Sequence, residues 1–289
     1  MLDKSIEISI NYKMDYETFY GFERKPFSTS PDERFYFNSP EHSKAMKKLL
    51  HGIQNRLGLS ILIADIGMGK TTMARRMLNL LSSYSKYEVS LLVIIHPDVT
   101  AAWLLKKMSL QLGIEVKDDE RVQAISDLYG RLQKFYDEDK KVVVLIDEAN
   151  MLRGKDIMEE IRGLLNIESR SVHLLNFILF GLPEMEKNLK QDEALYQRVA
   201  IRTTLNPLNL NSVFNYIVHR IRVAGGENIP FTNKSLRLIH HYSGGKPRLI
   251  NIICENALLE GFLEKKKYID SGLIKVVLTD LALVSNKND

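Results

Sequence analysis

The run Ala64-Asp65-Ile66-Gly67-Met68-Gly69-Lys70-Thr71-Thr72 carries the residue types that bind a polyphosphate. Gly67 and Gly69 let backbone approach phosphate oxygens closely, Lys70 can reach the β- and γ-phosphates, and the Thr71 hydroxyl can face Mg²⁺. The context strengthens the motif. The apolar run Leu59-Ser60-Ile61-Leu62-Ile63 precedes it and a helical pattern over 73–81 follows. A strand, a turn and a helix therefore gather Asp65, Ile66, Gly67, Met68, Gly69, Lys70, Thr71 and Thr72 around one point, with backbone N–H groups and the positive end of a helix dipole. A nucleoside triphosphate is the expected ligand. Ala64 stands where the usual pattern has its first Gly, at the position where the chain leaves the strand, and the smallest side chain after Gly is tolerable there.

A second group of chemical residues follows the apolar strand over 142–146: Asp147-Glu148-Ala149-Asn150. In open α/β sheets ligands sit at the carboxyl ends of strands, which puts Asp147 and Glu148 on the same rim as the phosphate loop. Asp147 is then the residue to hold Mg²⁺, commonly through water, together with Thr71, and Glu148 the residue to orient and polarise an attacking water. Hard oxygen ligands with phosphates favour Mg²⁺. The seven His and single Cys show no structural-metal spacing.

These residues need a scaffold, and the hydrophobic pattern supplies one. Short apolar runs at 59–63, 89–95, 142–146 and 172–180 alternate with helical patterns at 101–112, 122–136 and 155–166, which predicts an α/β fold with a parallel sheet flanked by helices. From about 211 the pattern is helical throughout (212–224, 233–242, 246–263 and 271–284), a smaller all-α domain. Ahead of the sheet, residues 15–37 hold Tyr16, Phe19, Tyr20, Phe22, Phe27, Phe35, Tyr36 and Phe37 among Pro26 and Pro31, an irregular segment with large apolar anchors. Ser39-Pro40 then opens a helix. The resulting divisions are an N-terminal extension at 1–13, with Met14 an alternative start, a nucleotide-binding domain at 14–210, a helical domain at 211–285 and a tail at 286–289.

At 289 residues, 45% hydrophobic and 26% charged, the composition is that of a globular protein. No run reaches the roughly 18–20 apolar residues of a membrane span, and no signal-peptide core is present. The single Cys254 excludes an internal disulfide and lies in an apolar stretch. The expected location is the cytoplasm. A net charge of +4 is too small and too evenly spread to announce nucleic-acid binding.

The motifs in order, Tyr16-Glu17-Thr18-Phe19-Tyr20-Gly21-Phe22, Ser39-Pro40-Glu41-His42, the phosphate loop, Ile146-Asp147-Glu148-Ala149, Gly181-Leu182-Pro183-Glu184, Gln197-Arg198-Val199 and Ser243-Gly244-Gly245-Lys246-Pro247-Arg248, resemble the AAA+ ATPases of the ExeA/GspA type, with TnsC and MuB as more distant relatives. The resemblance implies ATP as the nucleotide, hydrolysis to ADP and phosphate, and a homo-oligomer, ring or filament. It makes Arg248 the sensor-2 arginine that touches the γ-phosphate. It makes Arg198 the arginine finger reaching a neighbouring subunit, with Arg202 as substitute. Phe27 and Pro31 match the part that closes over adenine, and core packing explains them equally well.

Two departures bear on rate. Leu182 follows Gly181 where the family often has Gln, and His96 stands where relatives often have an Asn that switches the catalytic Glu. Both remove hydrogen bonds to the water or γ-phosphate, so slow, switch-like hydrolysis is expected. The resemblance implies assembly of an envelope secretion, pilus or polysaccharide-export system, reached at the inner membrane through a partner because the chain ends at Asp289 without a span. The alternative is an ATP-dependent regulator of transposition bound to duplex DNA. A nucleotide-gated scaffold that barely hydrolyses is a third.

Overall fold

A computed structural model describes residues 15–29, 32–115 and 121–284. The extension at 1–13, Met14, Pro31 and the tail at 286–289 lie outside the described residues. In chain order the elements are α1 (Tyr16–Tyr20), a 3-10 turn (Glu33–Phe35), α2 (Pro40–Gln54), β1 (Leu59–Ile63), α3 (Lys70–Ser82), β2 (Tyr87–Val93), α4 (Ala101–Gln111), α5 (Arg121–Asp137) and β3 (Lys141–Asp147). A second 3-10 turn (Ala149–Met151) leads to α6 (Lys155–Leu165), β4 (Glu168–Ser169), β5 (Val172–His173), β6 (Leu175–Gly181), α7 (Glu184–Leu189), α8 (Glu193–Gln197) and β7 (Val199–Thr204). Four helices complete the described chain: α9 (Leu210–Val223), α10 (Asn233–Ser243), α11 (Pro247–Leu263) and α12 (Ser271–Asp280).

Contacts divide the chain into two units, one over Pro40–Asn206 and the other formed by Met1–Ser39 with Pro207–Asp289. The first unit holds a five-stranded sheet in the order β2-β3-β6-β1-β7, every neighbouring pair parallel. β1 and β6 are buried along their whole length, so both sheet faces need cover. The two-residue period of the strands divides their side chains accordingly. Ile61, Val144, Ile146, Phe177 and Leu179 pack with Leu104, Leu128 and Ile161 on one face. Leu62, Val143, Leu145, Ile178 and Phe180 pack with Leu49, Ile53, Met73 and Met77 on the other.

The expected strand at 172–180 is two strands. Arg170 and Ser171 both take positive φ (49° and 65°), which turns β4 into β5 as a tight hairpin before β6 enters the main sheet. β7 has no counterpart among the expected strands. It lies at the sheet edge, where only alternate side chains need burial, and its Arg202 and two Thr weaken the apolar signal. α3 begins three residues before its apolar periodicity because the glycine turn feeds straight into the helix. α12 stops at Asp280, where Ala282 takes a positive φ and Leu283 N–H returns to the Leu278 carbonyl at 2.9 Å.

The second unit corrects the placing of the aromatic segment with the nucleotide-binding domain. Tyr16, Phe22, Phe27 and Phe35 join a core with Val213, Ile217, Ile250 and Cys254 of the helices. Large aromatic side chains bury where helices leave wide apolar grooves. Polar tips are satisfied in the same place: Tyr16 Oη donates to Glu255 Oε1 at 2.6 Å and Tyr20 Oη to the Lys266 carbonyl at 2.9 Å. Arg220 fastens the segment. Only 6% exposed, its guanidinium donates to the carbonyls of Pro26 and Ser28 and to Tyr216 Oη, and lies against the rings of Phe27, Phe35 and Tyr216. Burial pushes the Cys254 thiol pKa well up, as expected of a small core residue. Among the described residues no helix is long and apolar enough to cross a membrane.

Candidate nucleotide site

The phosphate loop owes its shape to two glycines. Gly67 and Gly69 take φ of 79° and 93°, the left-handed region in which a Cβ is disfavoured, whereas Ala64 does not. The glycine missing from the usual pattern is therefore missing where none is needed. Ala64 is buried and its N–H donates to the Gly181 carbonyl at 3.1 Å, which ties the loop to the end of β6. Gly69 is the N-cap of the thirteen-residue α3, and no side chain caps that terminus. Its leading N–H groups and the dipole they sum to are thus an anion-binding end, with no acidic residue in the first turn to oppose it.

Lys70 is the first residue of α3 and only 6% exposed. Its ammonium donates to the carbonyls of Ala64 and Asp65, both at 3.0 Å, so the side chain curls back along the loop. Burial pushes its pKa down, while the charges of Glu148, Asp147, Asp65 and Glu184 push it back up. Thr71 and Thr72 follow in the first turn, half-buried, and Ile66 projects from the loop exposed. Met68 is buried beneath it, and its carbonyl oxygen lies 3.3 Å from Nε2 of His42 on α2.

The acids arrive from β3. It is separated from β1 by β6, but the strands run parallel, so Asp147 and the phosphate loop share one rim. Asp147 is 1% exposed and its Oδ1 has no hydrogen-bond partner among the described residues. A buried orphan carboxylate oxygen suits a hydrated divalent cation, which takes one or two protein oxygens and completes its shell with water and phosphate. Glu148 adopts a left-handed conformation, φ 55°, as the chain turns from β3 into the 3-10 turn.

The arginines implied by the resemblance lie on other elements. Arg198 caps the C-terminus of α8, exposed, with Nη1 on the Asn166 side-chain oxygen and on the Arg162 carbonyl. Arg202, on β7, pairs with Glu186 Oε1, donates to Tyr196 Oη at 2.6 Å and lies over the Tyr196 ring. Arg248 belongs to the helical unit, exposed in the first turn of α11 with Pro247 before it. His96 is exposed three residues beyond β2.

The family described as "AAA domain" matches residues 32–189. The chain belongs to that family. This AAA domain is also 34% identical over 274 residues to General secretion pathway protein A of Aeromonas hydrophila, a match covering 93% of this chain and 48% of that protein. The chain thus spans about half the length of the curated relative it matches, and the ExeA/GspA-type resemblance read from its motifs is borne out. Solved structures share the fold at low identity. The Cdc6p protein of Pyrobaculum aerophilum has a TM-score of 0.67 at 15% identity, over 88% of this chain and 70% of its own. ORC2 of Aeropyrum pernix, in a structure of ADPNP-ADP complexes, has 0.62 at 14%, over 89% and 71%. The RuvB branch-migration motor of Thermotoga maritima has 0.54 at 16%, over 86% and 73%.

Three side chains of this AAA domain escaped the sequence reading as members of the site. Asn150 Oδ1 accepts the Leu182 N–H at 3.1 Å, and Asn188 Nδ2 donates to the Asn150 carbonyl at 3.0 Å. Asn150 stands two residues beyond Glu148, a signal available in the sequence; Asn188 stands alone on a short helix and offers none. Glu184 is the third, known here by its charge at Lys70.

Proposed function

We infer that this AAA domain binds and hydrolyses ATP within a homo-oligomer and assists assembly of an envelope secretion, pilus or polysaccharide-export system. The convergence of Lys70, Asp147 and Glu148 with the uncapped start of α3 on one rim of the sheet supports the nucleotide-binding and hydrolytic part of this reading. The α3 N–H groups and loop amides bind the phosphates, and Lys70 exchanges its two carbonyl partners for phosphate oxygens. Thr71 and Asp147 would hold Mg²⁺, which when bound would supply neutralising charge to the phosphates. Glu148 orients water for attack on the γ-phosphorus, and Arg248 senses the γ-phosphate. Arg198 is supplied to a neighbouring subunit. Among the described residues its partners are neutral oxygens, whereas Arg202 is paired with Glu186.

The secretion role is supported by the likeness to General secretion pathway protein A and by nothing finer. Without a polar side chain at Leu182 or an Asn at position 96, hydrolysis is slow, below about 1 s⁻¹ against an enzyme median near ten. Steady-state ATP hydrolysis across a duplex-DNA titration at near-physiological salt, with Lys70→Ala as blank, is the test. Lys70-dependent turnover indifferent to DNA is expected. Saturable stimulation by DNA would move the function to transposition-type regulation, and turnover unchanged in Glu148→Gln would leave a nucleotide-gated scaffold.

A further inference from the structure

Glu148 is a non-glycine residue in the left-handed region, a conformation that persists only where its surroundings over-determine it. Upstream it is held by the sheet, where Val93 pairs with Asp147 and the Ile94 N–H donates to the Asp147 carbonyl at 3.1 Å. Downstream lies only the single 3-10 turn Ala149–Met151, whose own bonds are Met151 N–H to Glu148 carbonyl at 2.9 Å and Leu152 N–H to Ala149 carbonyl at 3.1 Å. One such turn is too weak to fix its leading residue unaided.

Two carboxamides supply the remainder. Asn150, 5% exposed, accepts the Leu182 N–H through Oδ1 at 3.1 Å. Asn188, on α7, donates through Nδ2 to the carbonyls of Asn150 at 3.0 Å and Leu152 at 3.3 Å. Gly181 permits the approach, since a Cβ there would stand 3.2 Å from Asn150 N and 2.6 Å from Met185 Sδ. The turn that follows Glu148 is therefore stitched to the β6–α7 loop and to α7 by bonds at three of its backbone or side-chain atoms. Both contacts of Asn188 are to carbonyl oxygens, so only a donor serves at that position.

We propose that Asn150 and Asn188 are positioning residues that hold Glu148 in its left-handed conformation and so set the rate of the hydrolytic step without touching nucleotide. The proposal rests on the reading of Glu148 as the residue that polarises water. Misplacing a catalytic group by about an ångström costs of order 10²-fold in rate while leaving binding in place.

The test is a double-mutant cycle on the full chain, with single-turnover ATP hydrolysis and nucleotide Kd measured for Asn188→Ala, Glu148→Gln and the double variant. Asn188→Ala is expected to lower the hydrolytic rate at least tenfold with Kd within about twofold, and to lower it no further once Glu148 is Gln. Asn188→Asp, nearly the same shape but facing both carbonyls with acceptors, is expected to behave as Asn188→Ala and serves in its place should that variant fail to fold. Losses that multiply across the cycle, a Kd that weakens in step with the rate, or an unchanged rate in a folded Asn188 variant would each overturn the clamp. If Glu148→Gln alone leaves the rate intact, the reading of Glu148 fails and the clamp with it; if that variant is slow and Asn188→Ala is not, only the clamp fails.

Discussion

Gly245 lies so close to Leu208 that a Cβ on the glycine would stand 2.2 Å from the Leu208 carbonyl oxygen, and the Leu208 N–H donates to the Gly245 carbonyl at 2.9 Å. Its neighbour Gly244 has the same left-handed backbone, φ 56°, but open space where a side chain would go. The pair separates two costs that are usually confounded. Gly244→Ala should lose about 1 kcal/mol, the backbone term alone. Gly245→Ala should lose well over ~2 kcal/mol, because backbone must move. Urea denaturation of both variants checks this, and equal losses would refute the steric account.

Restoring the missing loop glycine should gain nothing. Ala64 is buried and outside the positive-φ residues, so Ala64→Gly is expected to leave nucleotide affinity within about twofold while costing about 0.5–1 kcal/mol of stability through the freer unfolded chain. Nucleotide titration beside denaturation measures both halves.

The trans action of Arg198 is open to complementation. Arg198→Ala should lower turnover by about 10³-fold with nucleotide binding retained. Mixed one to one with Lys70→Ala, itself inactive, it should regain about a quarter of wild-type activity, since interfaces pairing an intact loop with an intact arginine then form by chance. No recovery on mixing, with oligomers present, would place the arginine's role within its own subunit or remove it.

Arg220 is a buried cation whose hydrogen-bond acceptors here are carbonyls and a phenol, and whose walls are aromatic. Arg220→Ala should destabilise the helical unit by about 3 kcal/mol or more, since three acceptors lose a donor. Lys should recover little of it, as a point charge cannot fork to three acceptors or stack on rings. Amide exchange over residues 16–29 should accelerate in both variants; unchanged protection there would show that the aromatic packing suffices alone.

His42 makes stability depend on pH. Burial lowers its pKa from the ordinary 6.5, against the opposing influence of the Met68 carbonyl and Glu41. The unfolded chain therefore binds the proton first, and stability is lost as pH falls below about 6.5 towards the lower folded value. His219 is shifted in the same direction, by burial and by Arg220, and adds to the same limb. His42→Gln, which keeps a donor for Met68, should flatten part of the decline in urea midpoint between about pH 7.5 and 5.5.

What could be read in advance was what is local. The phosphate loop is nine consecutive residues whose chemistry, turn and following helix are all adjacent in sequence, and Asp147-Glu148 announce themselves as charges ending an apolar run. β7 was hidden because an edge strand needs apolar residues on alternate positions only, and six residues with Arg202 among them give too short a pattern. The aromatic segment was legible as something buried, but not its partner, since period and spacing carry no information on contacts more than two hundred residues away. Asn188 was beyond reach for a related reason: its value lies in which two carbonyls face it.

The bond from Tyr16 to Glu255 joins residues 239 positions apart, and everything from Pro40 to Asn206 is folded as a separate unit between them. At a ribosomal pace of roughly 5–20 residues per second, the aromatic segment waits on the order of 10–50 s for the helices that bury it. During that wait the α/β unit can be completed while Phe22, Phe27 and Phe35 remain uncovered. Biogenesis, more than final stability, is thus where this arrangement exposes the chain.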